Sequence, residues 1–236
     1  MSKYKINIVH LYPELLNLYG DKGNIECLKK RLLWRNIDVD VIECNDVTPE
    51  IDFETTDIIF LGGGAEREQA IVCSRLLNIK EQLKNYIEDG GAFIALCGGY
   101  ELLCADALGL LDIHCTVDKA KERLIGNVIL DSDLISENVV GFENHSGRID
   151  IGSYTPLGKV VVGFGNDGKS KEEGVIYKNL IASFLHGPLF PKNPELCDKI
   201  LENTLRHKYD YFSGLTALDD ELEKKANQYM IKRLCK

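Results

Sequence analysis

A cysteine and a histidine, each placed where an apolar run meets a tight turn, can serve as a nucleophile and its base, and this chain carries one of each. Cys97 follows Ala92-Phe93-Ile94-Ala95-Leu96 and precedes Gly98-Gly99; His186 follows Ile181-Ala182-Ser183-Phe184-Leu185 and precedes Gly187-Pro188. Strand, cysteine, two glycines and then a helix is a nucleophile elbow, in which a strained turn lifts the reactive side chain to the sheet edge. The helix N-terminus behind it has unpaired N–H groups, which favour a thiolate and supply the Gly98 N–H as a donor to an oxyanion. The blander reading is a small hydrophobe in a buried turn, as Cys27, Cys73 and Cys104 read in their helices. A histidine beyond a strand end can take the thiol proton and return it to a leaving amine. Alone it reads as a surface or capping histidine; beside Cys97 it reads as the base. His114, His145 and His207 lack this setting, and His10 shares it only in lying at a strand end.

A third strand-end turn is Gly62-Gly63-Gly64, after Asp57-Ile58-Ile59-Phe60-Leu61. Backbone amides of Gly63 and Gly64 can point inward as a second oxyanion donor. A phosphate loop is the alternative. Against it, Glu66 and Glu68 stand where a phosphate would sit, and no G-K-[ST] follows. The eight cysteines contain no C-x-x-C pair, so no metal site is expected.

These turns need strands and helices to position them. Strands are expected over residues 5–10, 37–44, 57–61, 92–96 and 181–185. Helices are expected over 23–35, 66–77, 79–88, 100–108, 193–207 and 219–236, with Asp21 and Asn24 as caps of the first. Between 125 and 177 short β-rich pieces (126–130, 139–142, 159–163) alternate with Gly and Asp, as hairpins do. The pattern predicts an α/β fold with a mainly parallel sheet, helices on both faces and a β-rich hairpin region. No internal repeat or linker interrupts residues 1–236, so one domain with a helical tail over 215–236 is expected. In open sheets of this kind, ligands lie beyond the carboxyl ends of the strands, where all three turns fall.

Composition bounds the partners. Of 236 residues, 44 % are hydrophobic and 28 % charged, as in a soluble globular protein. The net charge of −9 disfavours nucleic acid and anionic membranes. Residues 1–9 lack the apolar run of a signal peptide, and no stretch approaches a membrane span, so a cytoplasmic protein with reduced thiols is expected. In that compartment Asn144-His145-Ser146 is a chance match to a glycosylation sequon.

The segments LYPELLNLYGDKGNI (11–25), FLGGGAEREQA (60–70), LCGGYELL (96–103), GFENHSGR (141–148) and LHGPLFPKNP (185–194) together resemble class I glutamine amidotransferases of the cobyric acid synthase branch. In particular they resemble GatD-like glutaminase subunits of lipid II isoglutaminyl synthases. The resemblance implies a flavodoxin-like glutaminase domain with Cys97 as nucleophile and His186 as base. It implies Arg123 as the clamp for the α-carboxylate of L-glutamine; by sequence alone Arg123 is one cation among three, with Lys119 and Lys121, on a solvated face. It also implies a heterodimer with a Mur-ligase-like synthetase, which would hold ATP and magnesium, while this chain carries no cofactor.

Two features depart from the family. Glu101 stands where Gln is common, and a carboxylate cannot donate to a substrate carbonyl unless protonated. The acid often found two residues beyond the histidine is replaced by Pro188, and the next acid is Glu195. A Cys–His dyad, Glu143, or an acid from the partner are the alternatives. Cobyrinate-type acceptors stay open. So do two other classes: a stand-alone cysteine hydrolase of the DJ-1 or intracellular-protease type, and an inactive regulatory scaffold.

Overall fold

The computed structural model describes residues 3–117 and 122–235. The chain begins β1 (Lys5–Leu11), α1 (Lys22–Leu33), β2 (Asp38–Cys44), β3 (Ile58–Leu61), α2 (Glu66–Leu76), α3 (Lys80–Glu88), β4 (Ala92–Leu96) and α4 (Gly98–Leu102). A strand-rich stretch follows: β5 (His114–Val117), β6 (Leu124–Asp131), β7 (Val139–His145), β8 (Gly147–Asp150), β9 (Gly158–Val162), β10 (Glu172–Glu173) and β11 (Val175–Tyr177). The chain then returns through β12 (Leu180–Ser183) to α5 (Leu189–Lys192), α6 (Pro194–Lys208) and α7 (Glu221–Leu234).

The main sheet has the order β11-β12-β4-β3-β1-β2. All its pairings are parallel except that of the edge strand β11. Without β11 this is the flavodoxin-like order, in which the chain reverses direction between β1 and β3. β3 and β4 are buried along their whole length, which is why their sequences are unbroken apolar runs. Alternate residues serve opposite layers. Ile58, Phe60, Ile94 and Leu96 pack in the core that holds α1 and α6, and Ile59, Leu61, Phe93 and Ala95 in the one that holds α2 and α3.

The expected parallel strands and most helices lie within a few residues of their predicted bounds. The helix predicted over 100–108 is the main exception: α4 stops at Leu102, and residues 103–111 fold into tight turns. The reason is burial. Leu102, Leu103, Cys104, Leu108, Leu110, Leu111 and Ile113 are all buried, whereas a straight helix would bury one face. Each large apolar side chain withdrawn from water contributes about 1.5–3 kcal/mol, more than a turn of helix is worth. The predicted caps differ too. Asp21 and Asn24 make no cap to α1; their side chains accept from Gly63 N–H (2.6 Å) and Phe190 N–H (2.9 Å).

The strand-rich stretch forms an antiparallel sheet, β10-β9-β6-β7, and the ribbon β5-β8. β7 reaches the carboxyl edge of the main sheet, where His186 N–H donates to Phe142 O at 2.8 Å. This contact fixes β7 beside the strand-end turns.

At the opposite flank the guanidinium of Arg31, 3 % exposed, is bidentate to both Asp198 and Asp220 at 2.6–2.8 Å. It ties α1 to α6 and to the start of α7. Removing the cation leaves two partly buried carboxylates, with Arg35 still bound to Asp198. Arg31→Ala is expected to destabilise the protein by about 3 kcal/mol, roughly 6–12 °C in melting temperature. A thermal melt unchanged within 2 °C, on the order of half a kcal/mol, would show that the network is ornamental. Among the described residues, no helix is long and apolar enough to cross a membrane.

Candidate active site

Register brings the three turns together. Leu61 lies opposite Ala95, and Leu96 opposite Ser183, so Gly62, Cys97 and the segment leading to His186 leave the sheet side by side. Cys97 N–H donates to Ser183 O at 2.8 Å, and Cys97 O accepts from Glu101 N–H at 3.1 Å. Between these bonds Cys97 has φ 50 and ψ −110, outside the usual regions for a residue with a Cβ. Such strain costs on the order of 1–3 kcal/mol and survives only where its surroundings over-determine it. The strained elbow at Cys97 is therefore a geometric fact of this chain.

Gly63 is the point on which Cys97 and His186 converge. A Cβ added there would stand 2.9 Å from Cys97 Cβ, 3.4 Å from His186 Cε1 and 3.5 Å from Asp21 Oδ2. Gly99 is as constrained: its Cβ would meet Leu61 O at 2.4 Å. The glycines let the turn after β4 lie directly on the turn after β3.

Electrostatics set the resting state of the pair. Burial pushes the Cys97 thiol well above its ordinary range, and the charges of Glu101 and Asp21 push the same way. The Gly98 N–H, hydrogen-bonded to the sulfur, and the Arg123 cation pull down but do not prevail. The thiolate expected from the helix N-terminus is thus not the resting form, since α4 has only five residues and a correspondingly small dipole. His186 is 0 % exposed. Burial, then electrostatic effects of the neighbouring His145, Arg123 and Lys192, bring its pKa down to about 4. At neutral pH Cys97 thus rests as a thiol and His186 as a neutral imidazole.

The oxyanion donors are differently placed. Gly63 N–H is occupied by Asp21 Oδ2 at 2.6 Å. Asp21 itself is completely buried, which raises its carboxyl to about 7. Gly64 carries the Gln69 amide on its carbonyl at 2.8 Å, and its N–H has no acceptor among the described residues. Gly64 N–H is therefore the open donor of this turn, while Gly98 N–H is held by the Cys97 sulfur.

Arg123 opens β6 and turns toward β7. Its Nε donates to Asn144 Oδ1 and its Nη2 to Asn144 O, both at 2.7 Å. Its positive charge lowers the pKa of both the Cys97 thiol and the His186 imidazole, behind the larger effect of burial. Lys119 and Lys121 lie outside the described residues. Glu101 is largely buried, which raises its carboxyl, and a hydrogen bond from Gln69 lowers it. A cleft of about 330 Å³ opens on the far side of Glu101, lined by Glu66, Gln69, Cys104, Cys115, Val117 and Ser146; Cys97, His186 and Arg123 are not part of its lining.

Among the described residues, no acid hydrogen-bonds His186. Glu143 accepts from Phe164 N–H (2.7 Å) and Gly165 N–H (3.0 Å) and faces His145. Glu195 is bound by the backbone and hydroxyl of Ser136 and by Glu137 N–H. Both ring nitrogens of His186 are buried without a hydrogen-bond partner among the described residues. His10 is a core residue, edge-on to Phe60 at 5.2 Å.

Three residues at the site are ones the spacing does not single out: Asp21, Tyr19 and Asn144. Asp21 reads as a helix cap, Tyr19 has no periodic partner, and Asn144 reads as part of a chance sequon. Their only sequence signal is that they fall inside the motif segments 11–25 and 141–148.

Residues 7–194 match the CobB/CobQ-like glutamine amidotransferase domain. Lipid II isoglutaminyl synthase (glutamine-hydrolyzing) subunit GatD of Staphylococcus aureus is 40 % identical over 98 % of this chain and 96 % of its own. The subunit of the same name from Streptococcus pneumoniae is 36 % identical over 96 % and 91 %. A cobyric acid synthase of Listeria innocua is 28 % identical over 58 % of this chain, which spans 29 % of its length. Among solved structures, PurLQS from Thermotoga maritima superposes with a TM-score of 0.58 at 16 % identity, covering 87 % of this chain and 99 % of that one, a likeness of fold alone. With the strand order, the strained Cys97 elbow and the His186 strand end already in place, these matches show that the chain belongs to the CobB/CobQ-like glutamine amidotransferase family.

Proposed function

We propose that this chain is the glutaminase subunit of a lipid II isoglutaminyl synthase, releasing ammonia from L-glutamine for a Mur-ligase-like partner that amidates D-glutamate of the peptidoglycan precursor. The observation that carries the chemistry is the convergence of Cys97 and His186 on Gly63. What supports the pathway is the similarity to two GatD subunits over nearly the whole chain. ATP and magnesium belong to the partner in this reading, and the site is cytoplasmic. The tail over residues 215–236 belongs to the same domain, which the Arg31–Asp220 contact supports.

Arg123 grips the α-carboxylate of glutamine. Cys97 gives its proton to His186 and attacks the side-chain carboxamide carbon. Gly98 and Gly64 N–H groups receive the oxyanion, each such donor being worth roughly 3 kcal/mol of barrier. The imidazolium passes its proton to the amine as the C–N bond breaks, leaving ammonia and a γ-glutamyl thioester. His186 then draws a proton from water, which hydrolyses the thioester to glutamate. The unpartnered ring nitrogens of His186 support an orienting carboxylate supplied by the partner subunit.

The test is ammonia release from L-glutamine by the chain alone and with the Mur-ligase-like subunit. Release that rises on assembly supports the reading. No release in either condition, from folded protein, sinks it.

A pH profile checks the imidazole. With the His186 pKa near 4, the chain alone is expected to keep its base form through pH 6, so kcat/KM falls on the acid side only toward pH 4–5. A partner carboxylate beside the ring would favour the imidazolium and move that limb upward. An acid limb at 6.5 in the chain alone would contradict the buried, uncompensated histidine seen here.

A further inference from the structure

Tyr19 covers His186. Its ring stands edge-on to the imidazole, with centroids 4.6 Å apart and an interplanar angle of 61°. The imidazole beneath is completely buried, with both nitrogens unpartnered. Tyr19 itself is 44 % exposed, so it forms the outer wall of the site rather than part of the core.

Two further observations mark this wall as movable. Tyr19 has φ 58 and ψ 20, an uncommon conformation for a bulky side chain, and is followed by Gly20 at φ 80 with no atom within 4 Å of its Cβ position. The backbone at Gly20 thus faces open space, while the flanking Leu18 N–H is tied to Gly63 O at 2.9 Å and Gly20 N–H to Asn17 O at 3.3 Å, so movement of the ring falls on the Tyr19 side chain. Among the described residues the hydroxyl makes one side-chain hydrogen bond, Tyr19 Oη accepting from Asn144 Nδ2 at 2.6 Å, and the ring also meets Phe142 edge-on at 6.3 Å.

Asn144 is at the same time the partner of Arg123. It accepts from Arg123 Nε through its side-chain oxygen and from Nη2 through its carbonyl, both at 2.7 Å. Nε and Nη2 form one edge of the guanidinium, the fork that matches a carboxylate with two parallel hydrogen bonds. In the ligand-free chain that fork is filled by Asn144. A carboxylate taking the Nε arm of that fork displaces the Asn144 side-chain amide, which also holds the Tyr19 hydroxyl; the Nη2 arm is held by the Asn144 backbone carbonyl, and Nη1 faces Ser146 Oγ at 3.5 Å.

We propose that Asn144 and Tyr19 are positioning residues that couple occupancy of Arg123 by the substrate carboxylate to uncovering of the His186 imidazole. Asn144 stands in for the carboxylate until glutamine arrives. Its displacement frees Tyr19, and the withdrawn ring opens His186 to the reacting amine and to an orienting acid. β7 supplies the frame, since Phe142 O holds His186 N–H at 2.8 Å two residues before Asn144. The proposal rests on the glutaminase reading for the identity of the carboxylate, and on the contacts alone for the cover.

The test reads exposure of His186 directly. The whole chain, without glutamine, is treated with diethyl pyrocarbonate, and carbethoxylation of the His186 peptide is timed by mass spectrometry, with exposed His114 as internal reference. Losing the hydroxyl–amide bond in Tyr19→Phe or Asn144→Ala shifts the closed–open balance by roughly fivefold. Both variants are therefore expected to label His186 about fivefold faster than the unmodified chain. In the hydrolysis assay Tyr19→Phe is expected to lower the glutamine KM by a similar factor, because less of the binding is spent on opening. Equal His186 labelling in all three proteins, with His114 constant, overturns the proposal. Labelling needs no turnover. A chain that hydrolyses no glutamine thus refutes the glutaminase reading while the labelling comparison still decides this one.

Discussion

Cys97→Ser is expected to lower glutamine-dependent ammonia release by at least about 10³-fold, with the melting temperature unchanged within a degree or two. The resting site is already hostile to anions: burial, Glu101 and Asp21 all push the thiol toward its neutral form. A thiol overcomes this because its ordinary pKa is near 8.5 and the thiolate is intrinsically nucleophilic. A hydroxyl starts from a far weaker acidity, and an imidazole with a pKa near 4 is too weak a base to compensate. Substitution by serine keeps the shape of the elbow, so any loss is chemical. Steady-state ammonia release, with a thermal melt of both proteins, checks this. Activity within tenfold of the parent chain would remove Cys97 from the mechanism.

Gly63→Ala should be almost as damaging to activity, for a steric reason. The new methyl would lie 2.9 Å from Cys97 Cβ, closer than real Cβ atoms approach, and 3.4 Å from His186 Cε1. Gly63 is not among the glycines with positive φ, so alanine meets no backbone penalty there. The strain falls on Cys97, which is already held at φ 50 between two hydrogen bonds. A misplacement on the order of an ångström between nucleophile and base costs about 10²-fold in rate. We expect kcat/KM to drop by that order and stability by about 1–2 kcal/mol. Retained activity within threefold would mean that Cys97 and His186 do not work through the geometry described.

The three strand-end turns were more legible in the sequence than their surroundings. Cys97, His186 and the 62–64 turn could be found because each sits where an apolar strand stops at glycine, and the parallel order of β3, β4 and β12 then brings those ends together. The strand-rich region was legible only as texture. Register within β6 and β7 depends on contacts far along the chain, and that register places Ile125 opposite Asn144 and so Arg123 beside it. Asp21 and Glu143 illustrate the same limit. Both are carboxylates in plausible local roles, but long-range contacts decide otherwise: Asp21 is taken by Gly63 N–H, forty-two residues away, and Glu143 by Phe164 and Gly165 N–H. The helix predicted over 100–108 failed because its apolar residues are buried on every side. The thiolate failed because burial outweighs a one-turn helix.

The central claim is that one of the eight cysteines is a nucleophile built to receive glutamine. It is tested most directly by exposing the whole chain to a chloroketone analogue of glutamine and mapping the adduct by mass spectrometry. The expected result is a single adduct on Cys97, suppressed by excess L-glutamine, even though Cys235 is far more exposed. No adduct on Cys97, or labelling that follows exposure and ignores glutamine, would contradict it.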